Sequence, residues 1–370
     1  MPTKMMFYGK IKGIRYNPSF RMPKLHEYSN LEEGIKKSSS FIFLLGKDRF
    51  AVSWWVSPKR TRSYPYARVY NTLQFNQGKR VTIIPVMKDE GKDGDRDFIQ
   101  WDTISLMSLL GVYVILGYYS DASKVSSGKI TDQRYDYDYL KSQFEQLSNW
   151  QSDALHWNMS QVNKIGDLMK KAIEAYERIS KKLNVDLHDL KSALTKANEI
   201  YKSATNFQQY SRSQSKKAQQ REVLTIQPKE KISGEKASID IENYLGGLYH
   251  LTIDEVYVNL EKGAACIIEA KNSKTESLPK EEDIKDGLLK MIIFTNLAEL
   301  YYVHNNSYIK INEIKPFLKL TGKSTSFEPK HVQILESLMK EAEDNGFQVL
   351  VNEKIAKKQV NSTSYLDFTC

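Results

Sequence analysis

Residues 251–271, LTIDEVYVNLEKGAACIIEAK, decide how the rest of the chain is interpreted. Two runs rich in β-branched and other apolar residues, 251–260 and 264–273, flank a short polar turn that contains a Lys-Gly pair. Apolar runs on either side of a turn with glycine predict two neighbouring strands. Because side chains alternate between the two faces of a strand, Glu269 and Lys271 are predicted to emerge on the same face.

Each predicted strand carries an acidic residue. Asp254 lies in the first strand, and Glu269 and Lys271 lie in the second. Two carboxylates can hold a hard divalent cation through oxygen, and a cationic group can orient or activate an attacking water. Phosphodiester hydrolysis needs such a set, because the leaving oxygen and the phosphorus gather negative charge that water alone stabilises poorly. The hairpin is therefore a candidate site of metal-dependent hydrolysis.

The spacing of Glu269 and Lys271 is not distinctive by itself. An acid and a lysine separated by one residue recur at 90–92, 189–191, 283–285, 313–315 and 328–330. Only Glu269 follows an apolar run and is paired with an upstream strand that bears an acid. The alternative interpretation is two exposed charges at the end of a core strand.

Signals of regular structure continue on both sides of the hairpin. Residues 238–250 are predicted as an amphipathic helix, and residues 281–302 as a second helix after a polar loop. A helix over 328–346, ended by a glycine C-cap, precedes a strand over 347–352. This alternation predicts a compact α/β domain.

An acid, about fifteen residues, and then Glu-X-Lys on an adjacent strand is an order that resembles the PD-(D/E)XK nuclease superfamily, which contains most type II restriction endonucleases. The resembling segments are TIDEVYV at 252–258 and CIIEAK at 266–271, within residues 237–301. The resemblance implies a restriction-endonuclease-like core, with a mixed sheet flanked by helices. It also implies that Asp254 and Glu269 bind Mg²⁺ and that Lys271 positions or activates the water.

Three positions leave alternatives open in this assignment. Ile253 stands where the motif has proline. Glu255 follows Asp254 and is predicted on the opposite face, so a one-residue shift of the inward register would make Glu255 the ligand instead. Glu242, on the predicted preceding helix, matches a position where some members add another acidic group.

The first part of the chain is predicted as a mixed α/β domain over residues 1–131. Its apolar runs predict strands, its helical spacing predicts a helix over 98–111, and a buried strand is predicted over 112–119. The predicted strands before that helix are 41–46, 49–57, 68–75 and 79–87.

Positive charge is concentrated at the start of the chain. The formal net charge is +9, and residues 1–70 hold 14 Lys and Arg against 4 Asp and Glu. A basic segment of this size favours a polyanionic partner. Residues 53–70 mix cations, which neutralise phosphates, with aromatic rings, which stack on bases or pack against sugars. The candidate DNA-binding residues are Lys59, Arg60, Arg62, Tyr64, Tyr66 and Arg68.

The middle of the chain has the composition of long helices. From about Asp132 to Arg221 it is rich in Lys, Gln, Ser, Ala and Leu, and apolar residues recur every three or four positions. We expect a helical arm followed by a polar linker over 132–236, which leaves 237–370 as the catalytic domain. The arm could serve as a dimer element or as a DNA clamp.

Together with these features, the resemblance implies a Mg²⁺-dependent, sequence-specific double-stranded DNA endonuclease, a type II restriction enzyme that leaves 5′-phosphate and 3′-hydroxyl ends. By family analogy it would act as a homodimer. The longest apolar window is shorter than the roughly 20 residues that span a bilayer, so we expect a cytoplasmic protein without a membrane partner. The alternatives are a structure- or damage-directed repair nuclease, a non-catalytic DNA-binding protein with a degenerate nuclease fold, and an RNA-binding factor.

Overall fold

The chain forms two compact units that do not follow its changes in composition. The computed structural model describes residues 5–125, 128–200, 206–209, 235–305, 307–323, 327–352, 354–359 and 362–367. One unit is the inserted segment Lys24–Gln214, and the other joins Met1–Pro23 to Ser215–Cys370. We call them the inserted unit and the discontinuous unit. The sections expected from composition were 1–131, 132–236 and 237–370, and their boundaries differ from those of the two units. Most of the expected polar linker lies outside the described residues.

The first strand, β1 (Met5–Ile11), belongs to the discontinuous unit, and the inserted unit follows it. The larger sheet of the inserted unit has the order β2-β3-β4-β5-β8, with β3 and β4 antiparallel and β4, β5 and β8 parallel. Its elements are β2 (Glu27–Tyr28), α1 (Leu31–Lys37), β3 (Ser40–Leu45), β4 (Asp48–Trp54), α2 (Pro65–Tyr70), β5 (Lys79–Pro85), β6 (Met87–Asp89), β7 (Arg96–Phe98), α3 (Trp101–Leu109), β8 (Tyr113–Gly117), β9 (Tyr119–Lys124), β10 (Ile130–Tyr135), α4 (Tyr137–Ser148), α5 (Ala154–Asn163), α6 (Ile165–Leu183) and α7 (Leu190–Ile200).

Most elements predicted for the first part of the chain are confirmed. The strands over 41–46, 49–57 and 79–87 correspond to β3, β4 and β5, and the helix over 98–111 corresponds to α3. The strand predicted over 68–75 is wrong, because this segment begins inside α2 and continues as a turn. Pro65 at the start of α2 has the backbone angle of a first helical residue and explains the difference.

Helices α4 to α6 belong to the core of the inserted unit rather than to an arm that projects from it. The ring of Phe144 on α4 packs edge-on against Phe43 and Phe50, with centroid distances of 5.0 and 5.2 Å. On α5, the indole of Trp157 donates a hydrogen bond of 2.7 Å to the carbonyl of Val114 in β8. These contacts bury one face of each helix, which is the source of the three-and-four periodicity in the sequence.

The described part of the discontinuous unit is built on a ten-stranded mixed sheet with the order β15-β14-β1-β11-β12-β13-β16-β17-β18-β19, flanked by helices. Strand β1 lies between β11, to which it is parallel, and β14, to which it is antiparallel. The elements after β1 are β11 (Glu235–Asn243), β12 (Leu248–Asn259), β13 (Ala264–Asn272), α8 (Glu281–Phe294), β14 (Leu297–His304), β15 (Ser307–Ile311), β16 (Glu313–Thr321), α9 (Pro329–Asn345), β17 (Gln348–Val351), β18 (Lys354–Gln359) and β19 (Ser362–Asp367).

The amphipathic helix predicted over 238–250 is wrong. This segment forms the end of β11, a tight turn and the start of β12. The side chain of Asn243 accepts hydrogen bonds from the backbone N–H groups of Leu245 and Gly247, at 2.8 and 3.0 Å, and Gly246 has a φ of 72°. An Asn side chain that accepts hydrogen bonds from the N–H groups that follow it, and a glycine with positive φ, favour this turn over a helix.

The remaining predictions for this unit are mostly confirmed. The two strands of the hairpin are β12 and β13, and the last predicted helix and strand are α9 and β17. The helix predicted over 281–302 is too long, because α8 ends at Phe294 and the chain continues as β14. None of the helices in the described part of the chain combines the length and the apolar character that a membrane crossing requires.

Candidate active site

The hairpin brings Asp254 beside Glu269 at an irregularity of the sheet. The register between β11 and β12 shifts by one residue, so that Asp254 and Glu255 lie opposite the single residue Lys236. Bulges of this kind redirect side chains and are common next to functional sites. The Asp254 carboxylate then accepts a hydrogen bond from the backbone N–H of Ala270, at 2.9 Å. Asp254 is thus tied to the residue between Glu269 and Lys271.

Glu269 is the centre of the charged cluster. Its side chain is only 1% exposed, and each of its oxygens has an ammonium partner. The Nζ atom of Lys271 lies 3.0 Å from Oε1, and that of Lys290 lies 2.7 Å from Oε2. Lys271 also reaches Asp286, with 3.3 Å between Nζ and Oδ2. The predicted triad of Asp254, Glu269 and Lys271 is therefore part of a group of five charged side chains.

Helix α8 supplies the two members that the sequence analysis missed. Asp286 and Lys290 are four residues apart and lie on the same face of the helix. Gly287 lets this face approach β13 closely, because a Cβ atom there would lie 2.8 Å from Cδ1 of Leu318 and 3.2 Å from Cε of Lys271. The available signal was an acid, a glycine and a lysine at helical spacing in the helix that follows the hairpin.

The cluster moves the pKa values of its two strand carboxyls in opposite directions. Burial and the neighbouring charge of Glu269 raise the pKa of Asp254 to about 7. Burial also opposes ionisation of Glu269, but the ammonium groups of Lys290 and Lys271 outweigh it and lower the pKa of Glu269 to about 2. Burial raises the pKa of Asp286 as well. Neighbouring acids whose environments separate their pKa values are typical of sites that carry out acid, base or metal chemistry.

Lys271 remains a cation in this environment. Burial lowers the pKa of its ammonium group, but the carboxylates of Glu269 and Asp286 more than compensate and raise the pKa above its ordinary value. A lysine in this state donates hydrogen bonds and provides positive charge. It can therefore orient a water or stabilise a developing negative charge at this point of the site.

The two alternative acids lie outside the cluster. Glu255 forms an ion pair with Lys319 of β16, at 2.7 Å, and neither side chain has exposed surface. Glu242 lies on β11 rather than on a helix, so that part of the prediction is wrong, and its carboxylate accepts a hydrogen bond from the hydroxyl of Tyr8. Among the acids considered from the sequence, the structure places Asp254 with Glu269.

The donor set of the cluster fits a hard divalent cation. Asp254 and Glu269 offer carboxylate oxygens, the ligands that Mg²⁺ prefers. Among the described residues, no group of three or more His, Cys, Asp or Glu side chains is arranged to hold a metal. Two protein carboxylates suit Mg²⁺, which keeps several waters and completes its shell with phosphate oxygens.

The candidate DNA-binding residues of the inserted unit do not form one free surface. Tyr66 is buried and packs edge-on against Trp55. The guanidinium of Arg68 lies over the ring of Trp54, 4.3 Å from its centroid, and donates a hydrogen bond of 2.9 Å to the Trp54 carbonyl. Burial lowers the pKa of Arg68. Both side chains are used in packing within the inserted unit, so they are poor candidates for DNA contact.

The other four candidates differ in exposure. Arg62 forms ion pairs with Glu90 and Asp95, between β6 and β7, and with Asp97 of β7. Lys59 is exposed and lies 3.9 Å from Asp97. Tyr64 is 44% exposed, and Arg60 is partly exposed. Of these four residues, Lys59 and Tyr64 are exposed, and Arg60 and Arg62 are partly exposed.

Comparison of the chain with protein-family models, with curated proteins and with solved structures finds no match.

Proposed function

We propose that the protein is a metal-dependent DNA endonuclease of the PD-(D/E)XK type. The observation that carries this proposal is the grouping of Asp254, Glu269 and Lys271 at the bulged end of a hairpin. The site raises the pKa of the Asp254 carboxyl and lowers that of Glu269. The large mixed sheet flanked by helices agrees with the core that the resemblance implies. Because fold does not dictate function, the site itself must support the activity.

Each residue of the cluster has a distinct part in this proposal. Asp254 and Glu269 would hold Mg²⁺, which supplies a Lewis acid for the charge that gathers at phosphorus and at the leaving oxygen. Lys271 positions or activates the attacking water through its ammonium group. Glu269 stays ionised at neutral pH, because the pKa of its carboxyl is about 2. In-line attack would leave 5′-phosphate and 3′-hydroxyl ends.

Charge supports double-stranded DNA as the substrate. The excess of positive charge lies in residues 1–70, and its exposed lysines and arginines could neutralise backbone phosphates. By analogy with type II restriction enzymes, we propose a cytoplasmic homodimer that cuts both strands at a specific sequence.

Substitution of the two carboxylates tests the proposal. We expect Asp254→Ala and Glu269→Ala to leave DNA binding intact and to lower the cleavage rate by at least about 100-fold, the usual cost of losing a group that stabilises transition-state charge. Glu261→Ala, at an exposed position in the turn of the same hairpin, is the matched control and should cut normally. Retained cleavage in both site variants would refute the assignment.

Two other functions give different results in the same assays. A structure-directed nuclease would cut branched or damaged duplexes at many sequences. A non-catalytic DNA-binding protein would shift duplex DNA on a gel, with steep salt dependence, and would not cut it with any divalent cation.

A further inference from the structure

Lys290 occupies a position on Glu269 that a bound cation would need. Its Nζ atom lies 2.7 Å from Oε2, while Lys271 lies 3.0 Å from Oε1. Both carboxylate oxygens therefore already have an ammonium partner. A buried carboxylate needs such compensation, because an unpaired charge in the interior is strongly destabilising.

The two lysines reach Glu269 from different elements. Lys271 lies on strand β13 and has a second carboxylate, Asp286, with 3.3 Å between Nζ and Oδ2. Oε1 of Glu269 and Asp286 can together keep Lys271 in place when Lys290 leaves Oε2. Lys290 comes from helix α8, and its ammonium group must leave Oε2 before a cation can use that atom.

We propose that Lys290 is the resident counter-ion of Glu269, and that a divalent cation enters the site by displacing its ammonium group from Oε2. Asp286 meanwhile holds Lys271 beside the reacting groups. This inference rests on the proposed function, since it takes Glu269 as a metal ligand. Lys290 is a positioning residue: it stabilises the metal-free protein and lowers the affinity of the site for metal, because ammonium and metal compete for the same oxygen.

Direct metal binding tests this inference without an activity assay. Titration calorimetry with Mn²⁺ alone is carried out on the full chain without DNA, for wild type, Lys290→Met, Lys290→Arg and Glu269→Gln. Loss of the competing charge should tighten Mn²⁺ binding by Lys290→Met about tenfold, within the usual range of coupling between two sites. Lys290→Arg keeps the charge and should bind as wild type does. Lys280→Met, at an exposed position that precedes the same helix, is the matched control.

Thermal unfolding covers the case in which Lys290→Met folds poorly. In EDTA this variant should unfold at a lower temperature than wild type, because Glu269 keeps only one ammonium partner. Mn²⁺ should then raise its Tm by more than it raises that of wild type, since tighter binding to the folded state gives more stabilisation.

The outcomes separate this inference from the proposed function. An unchanged or weaker affinity in Lys290→Met, with no larger shift in Tm, overturns the displacement. If wild type nevertheless binds Mn²⁺ through Glu269, as judged by loss of binding in Glu269→Gln, the proposed metal site stands. Absence of Mn²⁺ binding in wild type and all variants overturns both.

Discussion

The carboxylate of Asp254 accepts a hydrogen bond from the backbone N–H of Ala270, at 2.9 Å. Counted from the turn, the last regular pair of the hairpin is Glu255 with Ile268, next to Asp254 and Glu269. The side chain of Asp254 thus continues the connection between the strands where the ladder ends. Because Ala270 separates Glu269 from Lys271, this one bond places the first acid beside the other two members of the candidate site.

The buried ion pair of Glu255 and Lys319 gives the first prediction. Removing one partner takes the opposite charge away from a fully buried carboxylate, so Lys319→Met should lower the free energy of unfolding by about 3–5 kcal/mol. Glu255→Leu combined with Lys319→Met should cost much less, because an apolar pair of similar volume replaces the charges. Urea denaturation measures both. Equal losses in the single and double variants would show that the two residues do not act as a pair.

The same double variant addresses the choice between Asp254 and Glu255. We expect it to cleave DNA at close to the wild-type rate, because Glu255 forms its ion pair with Lys319 and not with a lysine of the Glu269 cluster. Loss of cleavage in a folded double variant would instead favour Glu255 as the ligand.

The pKa of Asp254 predicts how the stability of the metal-free protein changes with pH. The carboxyl titrates near 3.8 in the unfolded chain and at about 7 in the folded protein. Between these values the folded protein keeps a proton that the unfolded chain has lost, so this group lowers the free energy of unfolding as pH rises from about 4 to about 7. Asp254→Asn removes the effect.

Urea denaturation in EDTA at pH 5 and pH 8 measures this contribution. Asp254→Asn should gain stability relative to wild type between the two pH values, by about 1.4 kcal/mol for each pKa unit spanned. Glu261→Gln, at the exposed turn position, should show no such gain. A difference between Asp254→Asn and wild type that is the same at both pH values would contradict the raised pKa.

Substitution of Gly287 should lower cleavage while leaving the free energy of unfolding nearly unchanged. Gly287→Ala adds a methyl group 3.2 Å from Cε of Lys271 and 2.8 Å from Cδ1 of Leu318. The gain in helix propensity offsets part of the packing cost, so the free energy of unfolding should stay within about 1 kcal/mol of wild type. Displacement of Lys271 should still lower cleavage, by about tenfold or more. Normal cleavage in this variant would show that cleavage does not depend on the exact position of Lys271.

Some of the site followed from local sequence, and some depended on contacts distant in the chain. Two apolar runs on either side of a turn with glycine predicted the hairpin, and the period of two along a strand predicted the common face of Glu269 and Lys271. The bulge at Asp254 has no local signal, and for that reason the choice between Asp254 and Glu255 needed the structure. The placement of β1 beside β11 depends on pairing between segments more than 200 residues apart.

The two residues of α8 in the site, Asp286 and Lys290, also depend on contacts that local sequence does not predict. Sequence predicts a helix that contains Asp286 and Lys290, but their contact with Glu269 depends on how closely Gly287 lets the helix dock. The basic run of the inserted unit shows the opposite error: charge and aromatic content predicted DNA contact, whereas Arg68 and Tyr66 are used for packing.

Lys59 gives a prediction for the DNA-binding surface. Its side chain is exposed, so Lys59→Ala should weaken binding to all duplexes similarly and lower the slope of log K against log salt concentration by about 0.9. Lys36→Ala, on α1 outside the basic run, should leave the slope unchanged. Fluorescence anisotropy over a range of salt concentrations measures both. An unchanged slope for Lys59→Ala would remove Lys59 from the interface.

Metal-dependent cleavage at Glu269 is tested by incubating the purified protein with large, unmethylated phage DNA in Mg²⁺ and mapping the fragment ends. EDTA and the Glu269→Ala variant are the controls. A metal-dependent, sequence-specific nuclease should give discrete fragments with 5′-phosphate and 3′-hydroxyl termini that disappear in both controls. DNA that stays intact with Mg²⁺, or that is cut equally by Glu269→Ala, would contradict this function.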